Sequence, residues 1–597
     1  MQLTDFEASP NLVSLFLARA EALGEAAMLR AKRDGQWVAT SWREAARQVC
    51  LIAEGLRALG LEPGDRVLIV SENRPEWCLT DFAIMAAGCV TVPAYTTNTT
   101  RDHLHVLRDS GARAAIISTA KLAGPLLRAV AEAGCEHVIA MEPLAGGMAS
   151  EGVSIHDWSR LLQGDAEAAR GAVQRRLAGI GRDDLACLIY TSGTGGAPRG
   201  VRQHHGMILS NIRGAAQIIE EDFGWNGDES MLSFLPLSHA YEHTGGQFLP
   251  VGLGARIDYA EGLEKLAANI EETGPSIMIV VPRLFEVLRT RIVKQAEKQG
   301  GAAAKLMAAA VGLARRRATG KPRFGDGALD LLLEYTLRPK VRAKFGGRLK
   351  ALVSGGAPLN PEVGAFFQTI GLTLLQGYGQ TEAGPIISCN RPAAGIAVDT
   401  VGPPLEGVEV RIAEDGEIQV RGELVMQGYW GNPEASVAVL RDGWLLTGDI
   451  GEIDERGRIR ITDRKKDMII NDKGDNVSPQ RVESMLTLQP EIAQAMVAGD
   501  RRPHLVALVV PDEEWAELWA RAHGSAGGAD DPAFRAALRA AIDRVNTELS
   551  VIEKVRQFVL ADEPFSIANG ELTPSLKIRR HAIRARYGER LDALYRN

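Results

Sequence analysis

The chain has 597 residues, which is more than the roughly 250 to 300 residues at which one hydrophobic core stops growing. Two to four domains or subdomains are therefore expected, and a single small binding module is excluded. Hydrophobic residues make up 45% and charged residues 24%, which is typical of soluble globular chains, and a net charge of −7 lacks the basic excess of a dedicated nucleic-acid binder.

The N-terminal segment MQLTDFEASPNLVSLFLARA carries Asp5 and Glu7 where a secretory signal carries Lys or Arg. Its apolar residues recur at helical spacing, which predicts the first helix of a domain. No stretch approaches the roughly 18 uninterrupted apolar residues that cross a bilayer. The six cysteines are scattered singly, as in proteins of a reducing cytosol. We therefore expect a cytoplasmic protein whose membrane contact, if any, is peripheral.

Short apolar runs alternate with amphipathic helical patterns through most of the chain as far as about Ile450. This alternation is typical of parallel sheets covered by helices. The Ala-rich, charged segment 300–317 predicts a surface helix. The predicted strands are 65–70, 114–118, 137–141, 185–190, 276–281 and 349–354.

After about Val401 the pattern changes to short alternating strands with glycine-containing turns. This change predicts a β-rich subdomain at about 401–463. The remaining residues show a strand (506–510), a helix after Pro532 and a strand (557–561), which suits a small α+β domain. We therefore expect an α/β N-terminal domain over 1–463 and a C-terminal domain over 464–597.

The segment TSGTGGAPRG, residues 191–200, is the strongest local signal. It lies between the apolar strand 185–190 and a helical pattern that begins near Met207. Gly, Ser and Thr in a loop can direct N–H groups and hydroxyls at phosphate oxygens, and Arg199 adds positive charge. The segment does not match the GxxxxGK[ST] pattern of P-loop proteins. Taken alone, a flexible Gly-rich turn explains it about equally well.

Five further segments accompany this loop: LSFLPLSHAYEH (232–243), GYGQTEAG (377–384), WLLTGDIG (444–451), DRKKDMIINDKGDNVSPQRVE (463–483) and LTPSLKIRR (572–580). In content and order they resemble the motifs of the adenylate-forming superfamily, and most closely its long-chain fatty acyl-CoA synthetase branch. The similarity runs from about Ser41 to Arg580. It implies that a fatty acid carboxylate attacks the α-phosphate of ATP to give acyl-AMP and pyrophosphate, and that coenzyme A then displaces AMP.

The resemblance also implies which residues bind ATP with Mg²⁺. Tyr378 would lie against the adenine, Thr381 on the α-phosphate and Glu382 on the magnesium ion. Asp449 and Arg464 would contact the ribose, for which a carboxylate and a guanidinium are suited. The implied ATP-binding residues are Thr191, Ser192, Gly193, Thr194, Gly195, Arg199, Gly355, Gly356, Tyr378, Asp449 and Arg464, with the two glycines at 355 and 356 beside the adenine.

Four more roles follow from the resemblance. Lys577 aligns with the lysine that contacts the carboxylate and the α-phosphate during adenylation, although by residue type alone it would be a solvated cation in a basic patch. Gly474 would face coenzyme A. Lys466 would be the hinge on which a mobile C-terminal domain turns. His239 would line the boundary between an acyl tunnel and the nucleotide, the alternative being an ordinary buried histidine.

A competing interpretation comes from the same segment as His239. Residues 239–243 match the HxxEH pattern of a zinc protease, in which two imidazoles at i and i+4 share a helical face. The match is short, and Gly245 and Gly246 follow it, which is unfavourable for a stable metal-binding helix. The zinc protease is therefore a distant alternative.

Two positions of the phosphate loop depart from the pattern of the superfamily. Gly195 replaces a threonine and Arg199 replaces a lysine, so one hydroxyl is lost and the geometry of the cation changes. These departures concern the affinity for ATP. The favoured function is the conversion of a fatty acid to its CoA thioester. The alternatives are an acyl-AMP ligase that delivers its product to a carrier protein and an inactive nucleotide-binding module.

Overall fold

The computed structural model describes residues 3–144, 152–191, 197–465, 468–473, 475–524, 528, 530–573 and 577–596. Its strands, numbered in chain order, are β1 (Ala27–Arg33), β2 (Gln36–Ser41), β3 (Arg66–Val70), β4 (Val90–Ala94), β5 (Ala114–Ile117), β6 (His137–Ala140), β7 (Ser154–Asp157), β8 (Leu185–Thr191), β9 (Arg199–His204), β10 (Ser230–Ser233), β11 (Arg256–Tyr259), β12 (Ile277–Val280), β13 (Ala351–Ser354), β14 (Leu374–Gly379), β15 (Ile386–Cys389), β16 (Glu409–Ile412), β17 (Glu417–Arg421), β18 (Leu440–Arg441), β19 (Trp444–Ile453), β20 (Ile459–Arg464), β21 (Ile469–Ile470), β22 (Asn476–Val477), β23 (Ile492–Ala498), β24 (Leu505–Pro511) and β25 (Val555–Leu560).

The α-helices, numbered likewise, are α1 (Thr4–Ala8), α2 (Leu12–Leu23), α3 (Trp42–Ala58), α4 (Pro75–Ala86), α5 (Thr100–Ser110), α6 (Ala120–Ala133), α7 (Ala166–Leu177), α8 (His205–Phe223), α9 (Ala240–Glu242), α10 (Leu249–Leu253), α11 (Leu266–Thr273), α12 (Pro282–Gln299), α13 (Gly301–Ala318), α14 (Asp326–Thr336), α15 (Arg338–Lys344), α16 (Pro361–Thr369), α17 (Pro433–Val439), α18 (Pro479–Leu486), α19 (Glu513–His523), α20 (Pro532–Asn546) and α21 (Arg580–Ala593). A π-helical turn, His243–Phe248, joins α9 to α10.

Two large sheets form the framework of the chain before the β-rich part. In the eight-stranded sheet the order is β15-β14-β13-β12-β10-β11-β1-β2, and the six central strands are parallel. In the seven-stranded sheet the order is β7-β6-β5-β3-β4-β8-β9, with only β9 antiparallel among these strands. Central strands such as β5 and β12 are apolar and buried at every position, which is typical of parallel sheets covered on both faces. The predicted α/β class is confirmed, and the six predicted strands are present to within two residues.

The N-terminal segment forms two helices where one was expected. Helix α1 ends at Ala8 and α2 begins at Leu12. Pro10 between them lacks an N–H group and disfavours helical geometry at Ser9. The side chain of Asn11 then starts α2 by accepting a hydrogen bond of 2.8 Å from the backbone N–H of Ser14. The expectation of one helix was therefore wrong in extent.

The rest of the chain forms smaller sheets. Strands β16–β20 make a five-stranded antiparallel sheet between residues 409 and 464. Beyond it, β23, β24 and β25 form a three-stranded sheet whose own core includes Val482, Leu538 and Val555. Helix α20 and strands β24 and β25 match the helix and strands predicted there. Among the described helices, none combines the length and the apolar character that a membrane span requires.

Candidate active site

A cavity of about 2950 Å³ opens at the carboxyl ends of the parallel strands β12, β13 and β14. Such edges are where open α/β sheets bind ligands. The five-stranded sheet and the C-terminal unit, residues 464–597, also line the cavity. Every predicted site residue that the structure describes lines it: Thr191, Arg199, His239, Gly355, Gly356, Tyr378, Thr381, Glu382, Asp449, Arg464 and Lys577. Ser192, Gly193, Thr194, Gly195, Lys466 and Gly474 lie outside the described residues.

Three of these residues form a hydrogen-bonded group that joins two sheets. The Tyr378 hydroxyl, on β14, donates to Asp449 Oδ2 at 2.7 Å. Arg464 Nε, on β20, donates to Asp449 Oδ1 at 2.9 Å. Burial raises the pKa of Tyr378 well above its ordinary value, and the Asp449 carboxylate raises it further, so the phenol stays a donor. The group presents an aromatic ring, a carboxylate and a guanidinium on one wall of the cavity.

The turn after β13 brings the backbone close to an aromatic ring. A Cβ atom at Gly355 would lie 2.8 Å from Cζ of Tyr241, so a side chain there would collide with the ring. The Tyr241 hydroxyl is fixed by donating to the carbonyl of Val353 at 2.9 Å. Gly356 has a φ of +82°, which other residues adopt at a cost. Glycine at both positions is therefore required by the geometry of this wall.

Thr381 and Glu382 lie on a short 3₁₀ turn that follows β14. The side chain of Gln203 donates to the carbonyl of Thr381 at 2.9 Å and holds the turn against β9. Glu382 Oε1 accepts a hydrogen bond of 2.9 Å from the Tyr429 hydroxyl. The turn thus directs one hydroxyl and one carboxylate at the cavity.

Tyr429 is a residue of the site that the sequence analysis missed. Its ring lies 5.5 Å from the Arg199 guanidinium while its hydroxyl binds Glu382, so it touches both charged residues. It is brought there by the segment 428–430, which pairs with β9 through hydrogen bonds to Arg202 and Gly200. Only the tyrosine between two glycines in GYWG marks the position in the sequence, and this pattern carries no chemistry by itself.

The Gly-rich loop joins two paired strands. It leaves β8 at Thr191 and returns through β9, which begins at Arg199 and is antiparallel to β8. Helix α8 begins only at His205, after β9. The loop is therefore the connection of a hairpin, and the N-terminus of α8 is separated from it by a full strand.

Lys577 enters the cavity from the C-terminal unit. Its backbone N–H donates to Thr573 Oγ1 at 3.0 Å and its carbonyl accepts from the N–H of Thr573 at 2.8 Å, which fixes the chain just before α21. The pKa of Lys577 is lowered to about 8, first by withdrawal from bulk water and then by the Arg464 cation. Asp449 and Glu382 oppose this effect through their charges. The side chain therefore shares one electrostatic environment with these three residues.

His239 lies in the cavity as a neutral imidazole. Its Nδ1 accepts the backbone N–H of Tyr241 at 3.2 Å, which leaves the proton on Nε2. Burial lowers its pKa to about 3, and the Lys577 cation acts in the same direction.

The side chains of the HxxEH segment, residues 239–243, bind different partners and do not converge on one point. His243 Nε2 is 2.8 Å from Asp81 Oδ2 in the core, and Glu242 Oε1 accepts from the Ser233 hydroxyl at 2.7 Å. In the part of the chain that the structure describes, no group of three or more His, Cys, Asp and Glu side chains is placed to hold a metal ion. Nothing in this geometry favours the zinc protease.

Part of the cavity lining is apolar and is called the apolar branch below. It runs between helix α8 and the eight-stranded sheet, and its lining includes Ile218, Phe223, Val353, Leu375 and Cys389. The polar groups described above line the same cavity. The cavity therefore offers an apolar site and a charged site side by side.

Comparison with known proteins identifies the family. A family model described as "AMP-binding enzyme" matches residues 16–430, and one described as "AMP-binding enzyme C-terminal domain" matches residues 466–597. The long-chain-fatty-acid–CoA ligase FadD15 of Mycobacterium bovis is 34% identical over 588 residues, covering 94% of this chain and 93% of that protein. The peroxisomal long chain acyl-CoA synthetase 6 of Arabidopsis thaliana is 29% identical, covering 94% of this chain and 82% of that protein.

Solved structures share the fold. The adenylation domain of a carboxylate reductase from Mycobacterium chelonae superposes with a TM-score of 0.77 at 20% identity, covering 100% of this chain and 93% of that domain. O-succinylbenzoate coenzyme A synthetase from Bacillus subtilis, solved with ATP and magnesium ion, gives a TM-score of 0.67 at 22% identity, covering 96% and 99%. The family models and the ligases of similar sequence show that the chain belongs to the AMP-binding enzyme family, in its long-chain acyl-CoA synthetase branch.

Proposed function

We propose that this protein converts a long-chain fatty acid to its CoA thioester through an acyl-AMP intermediate. The proposal rests on the cavity itself, whose lining combines the apolar residues named above with the charged residues Lys577, Glu382 and Arg464. An alkyl chain suits the apolar branch, and its carboxylate would then lie at the charged end, beside the triphosphate. The relatives named as long-chain-fatty-acid–CoA ligases support the same substrate class.

In the first step two anions must approach each other. A carboxylate oxygen attacks the α-phosphorus of ATP, and the bond from that phosphorus to the pyrophosphate oxygen breaks. We assign Lys577 to the charge that develops between carboxylate and α-phosphate, because cations held in a low-dielectric site stabilise such charge strongly. Tyr378, Asp449 and Arg464 would hold the nucleoside, and Thr381 the α-phosphate.

The residues present fit a magnesium ion. Mg²⁺ usually takes one or two carboxylates, together with substrate phosphates and waters, and Glu382 offers one partly exposed carboxylate in the cavity. When bound, the ion neutralises phosphate charge. Tyr429 would orient the Glu382 carboxylate for this role, and Arg199 would lie beside the departing pyrophosphate.

In the second step the thiolate of CoA attacks the acyl carbonyl carbon, and AMP leaves. We propose that the C-terminal unit, residues 464–597, turns relative to residues 1–463 to bring Gly474 to the site. The described arrangement, with Lys577 in the cavity, suits the first step. Transfer of the acyl group to a carrier protein remains the alternative second step, and the cytoplasmic location and peripheral membrane contact stay predictions.

The proposal is tested with a panel of carboxylic acids of increasing chain length, incubated with ATP, Mg²⁺ and CoA. We expect AMP and acyl-CoA in equal amounts, with the highest kcat/KM for long chains because they fill the apolar branch. Reactions without CoA are the control. Acyl-AMP that accumulates and is not consumed by CoA would favour the carrier-protein alternative, and the absence of any acid-dependent AMP would refute the proposal.

Tyr429→Phe is expected to raise the Mg²⁺ concentration for half-maximal acyl-AMP formation by about tenfold, as the loss of an orienting hydrogen bond does at metal sites. The ring that stacks on Arg199 is kept. Tyr190→Phe is the matched control, because it also removes a tyrosine–carboxylate hydrogen bond, but to Asp109. An Mg²⁺ dependence that is equal in both variants would contradict the role of Tyr429.

The pKa of Lys577 predicts a pH dependence. Because burial lowers this pKa to about 8, the fraction of enzyme with a charged Lys577 falls as the pH rises through 8. The kcat/KM for acyl-AMP formation, which reports the free enzyme, should therefore fall above about pH 8 with a slope of one. Lys577→Arg stays charged at these pH values, so its residual activity should lack this decline. A decline at the same pH in both proteins would assign it to another group.

A further inference from the structure

Helix α14 carries an apolar face that points to solvent. Phe324, just before the helix, is fully exposed, and Leu331, Leu332 and Tyr335 are exposed by 61%, 49% and 78%. Residues 324, 328, 331 and 335 recur at the spacing of one helical face, and Ala328 is exposed as well. Phe324, Ala328, Leu331, Leu332 and Tyr335 are called the α14 face below. A surface helix usually turns its apolar side to the core, so this orientation is unusual.

The acidic residues of α14 lie on its other side, where arginines neutralise them. Asp326 pairs with Arg316, Asp330 with Arg317 and Arg338, and Glu334 with Arg338 and Arg342. Residues 301–345 contain ten Lys and Arg against three Asp and Glu, although the whole chain has a net charge of −7. Two of these cations, Arg315 and Lys344, pair with acidic residues outside this range, which still leaves an excess of positive charge. Lys321, Arg323 and Lys340 are exposed; the first two directly precede Phe324 and α14, and Lys340 lies on α15, which follows α14. The region is therefore cationic as well as apolar.

We propose that the α14 face docks the protein on a bilayer that contains anionic lipids. Apolar and aromatic side chains on a surface helix enter the boundary between headgroups and acyl chains, while neighbouring Lys and Arg bind anionic headgroups. Phe324, Leu331 and Tyr335 supply the first kind of contact. Lys321, Arg323 and Lys340 supply the second.

The positive charge of the α14 region favours an anionic lipid surface over a second copy of the chain as the partner. In a two-fold dimer the same patch meets itself, so the cations of one α14 region would face those of the other. Like charges brought together in this way oppose association. An anionic surface complements the patch.

The position of the patch gives docking a consequence, which rests on the proposed function. Arg315, Ala318 and Thr319, at the end of α13, line the active-site cavity, and Phe324 follows five residues after Thr319. Docking through α14 therefore holds this side of the cavity near the membrane. Long-chain fatty acids partition into bilayers, so the enzyme would meet its substrate where it is concentrated.

The test is co-sedimentation of the full-length protein with vesicles, without fatty acid, ATP or CoA. Vesicles of phosphatidylcholine alone are compared with vesicles that also contain phosphatidylglycerol. We expect binding to the anionic vesicles and its release at about 1 M salt, where the Debye length is about 3 Å. Because no substrate is present, failure of docking and failure of the proposed reaction are distinguishable.

Two variants and two controls make the test specific to α14. The apolar variant is Phe324→Ser with Leu331→Ser, Leu332→Ser and Tyr335→Ser, and its control is Val437→Ser with Val551→Ser, which are exposed elsewhere. The charge variant is Lys321→Glu with Arg323→Glu and Lys340→Glu. Its control makes the same charge change on α5 and α6, as Arg101→Glu with Lys121→Glu and Arg128→Glu.

Each α14 variant should need at least about tenfold more anionic lipid for half-maximal binding, while the controls match the unmodified protein. Melting temperatures and the activity toward a short, water-soluble acid should be unchanged, because the altered side chains are exposed and outside the active site. Equal vesicle binding by the α14 variants and the unmodified protein would overturn the proposal. A lack of binding to anionic vesicles would also overturn the proposal. This holds whether or not the protein forms a dimer through the α14 face, which the apolar variant would abolish.

Discussion

Lys577→Ala is expected to lower acyl-AMP formation by about a hundredfold to a thousandfold, the loss that follows removal of one group that stabilises transition-state charge. The reason is the position of Lys577 in the cavity, where Arg464, Asp449 and Glu382 act on its charge. The step is measured as acid-dependent exchange of labelled pyrophosphate into ATP, without CoA.

The same variant should keep the second half-reaction. When purified acyl-AMP and CoA are supplied, Lys577→Ala should form the thioester at close to the normal rate, because the proposed rotation of the C-terminal unit takes Lys577 out of the site for this step. Lys577→Met is the companion variant, since it keeps the volume of the side chain and removes only the charge. Equal loss of both half-reactions in a protein with an unchanged melting temperature would remove Lys577 from the proposed role.

Lys466→Pro is expected to have the opposite pattern, with near-normal acyl-AMP formation and a thioester rate lowered by about a hundredfold or more. Lys466 lies outside the described residues, but both of its flanks are anchored. On one side, the Lys465 ammonium binds Asp415 and Glu417 in the region of the five-stranded sheet at 2.7 and 3.2 Å. On the other side, Ile469 belongs to the core of the C-terminal unit. A rotation of that unit must be absorbed between these anchors, and proline removes the freedom of φ at its position.

Lys466→Ala is the matched control, because it removes the charge and keeps the freedom of the backbone. Both half-reactions should continue in this variant. Thioester formation from supplied acyl-AMP is measured for both proteins, together with their melting curves. A stable Lys466→Pro protein that forms thioester at the normal rate would exclude Lys466 as the hinge.

The sequence predicted the framework of the fold because its strands are buried on both faces. A run such as 114–118 or 276–281 is apolar at nearly every position, and such runs are recognisable without any partner. The N-terminal helix was misjudged in extent because the helical spacing of its apolar residues continues across Pro10. Strand β9 was also missed, since residues 199–204 contain charged and polar side chains and owe their conformation to pairing with β8 and with the segment 428–430.

Site residues could be predicted from the sequence where they lie close together within one motif. Thr381 and Glu382 follow Tyr378 within a few residues, and the structure brings all three to one cavity with Asp449 and Lys577. Tyr429 could not be found in this way. It lies 47 residues from Glu382 in sequence and reaches it only through pairing of its segment with β9. Such contacts arise from tertiary structure and leave no local pattern.

A single-turnover experiment separates the two steps of the proposed reaction. The protein is mixed with ATP, Mg²⁺ and a long-chain fatty acid, the products are measured, and CoA is then added. We expect acyl-AMP and pyrophosphate in amounts equal to the enzyme before CoA is added, and conversion of the acyl-AMP to acyl-CoA and AMP afterwards. Formation of ADP and phosphate instead, or acyl-CoA that appears without any acyl-AMP, would exclude the acyl-AMP pathway.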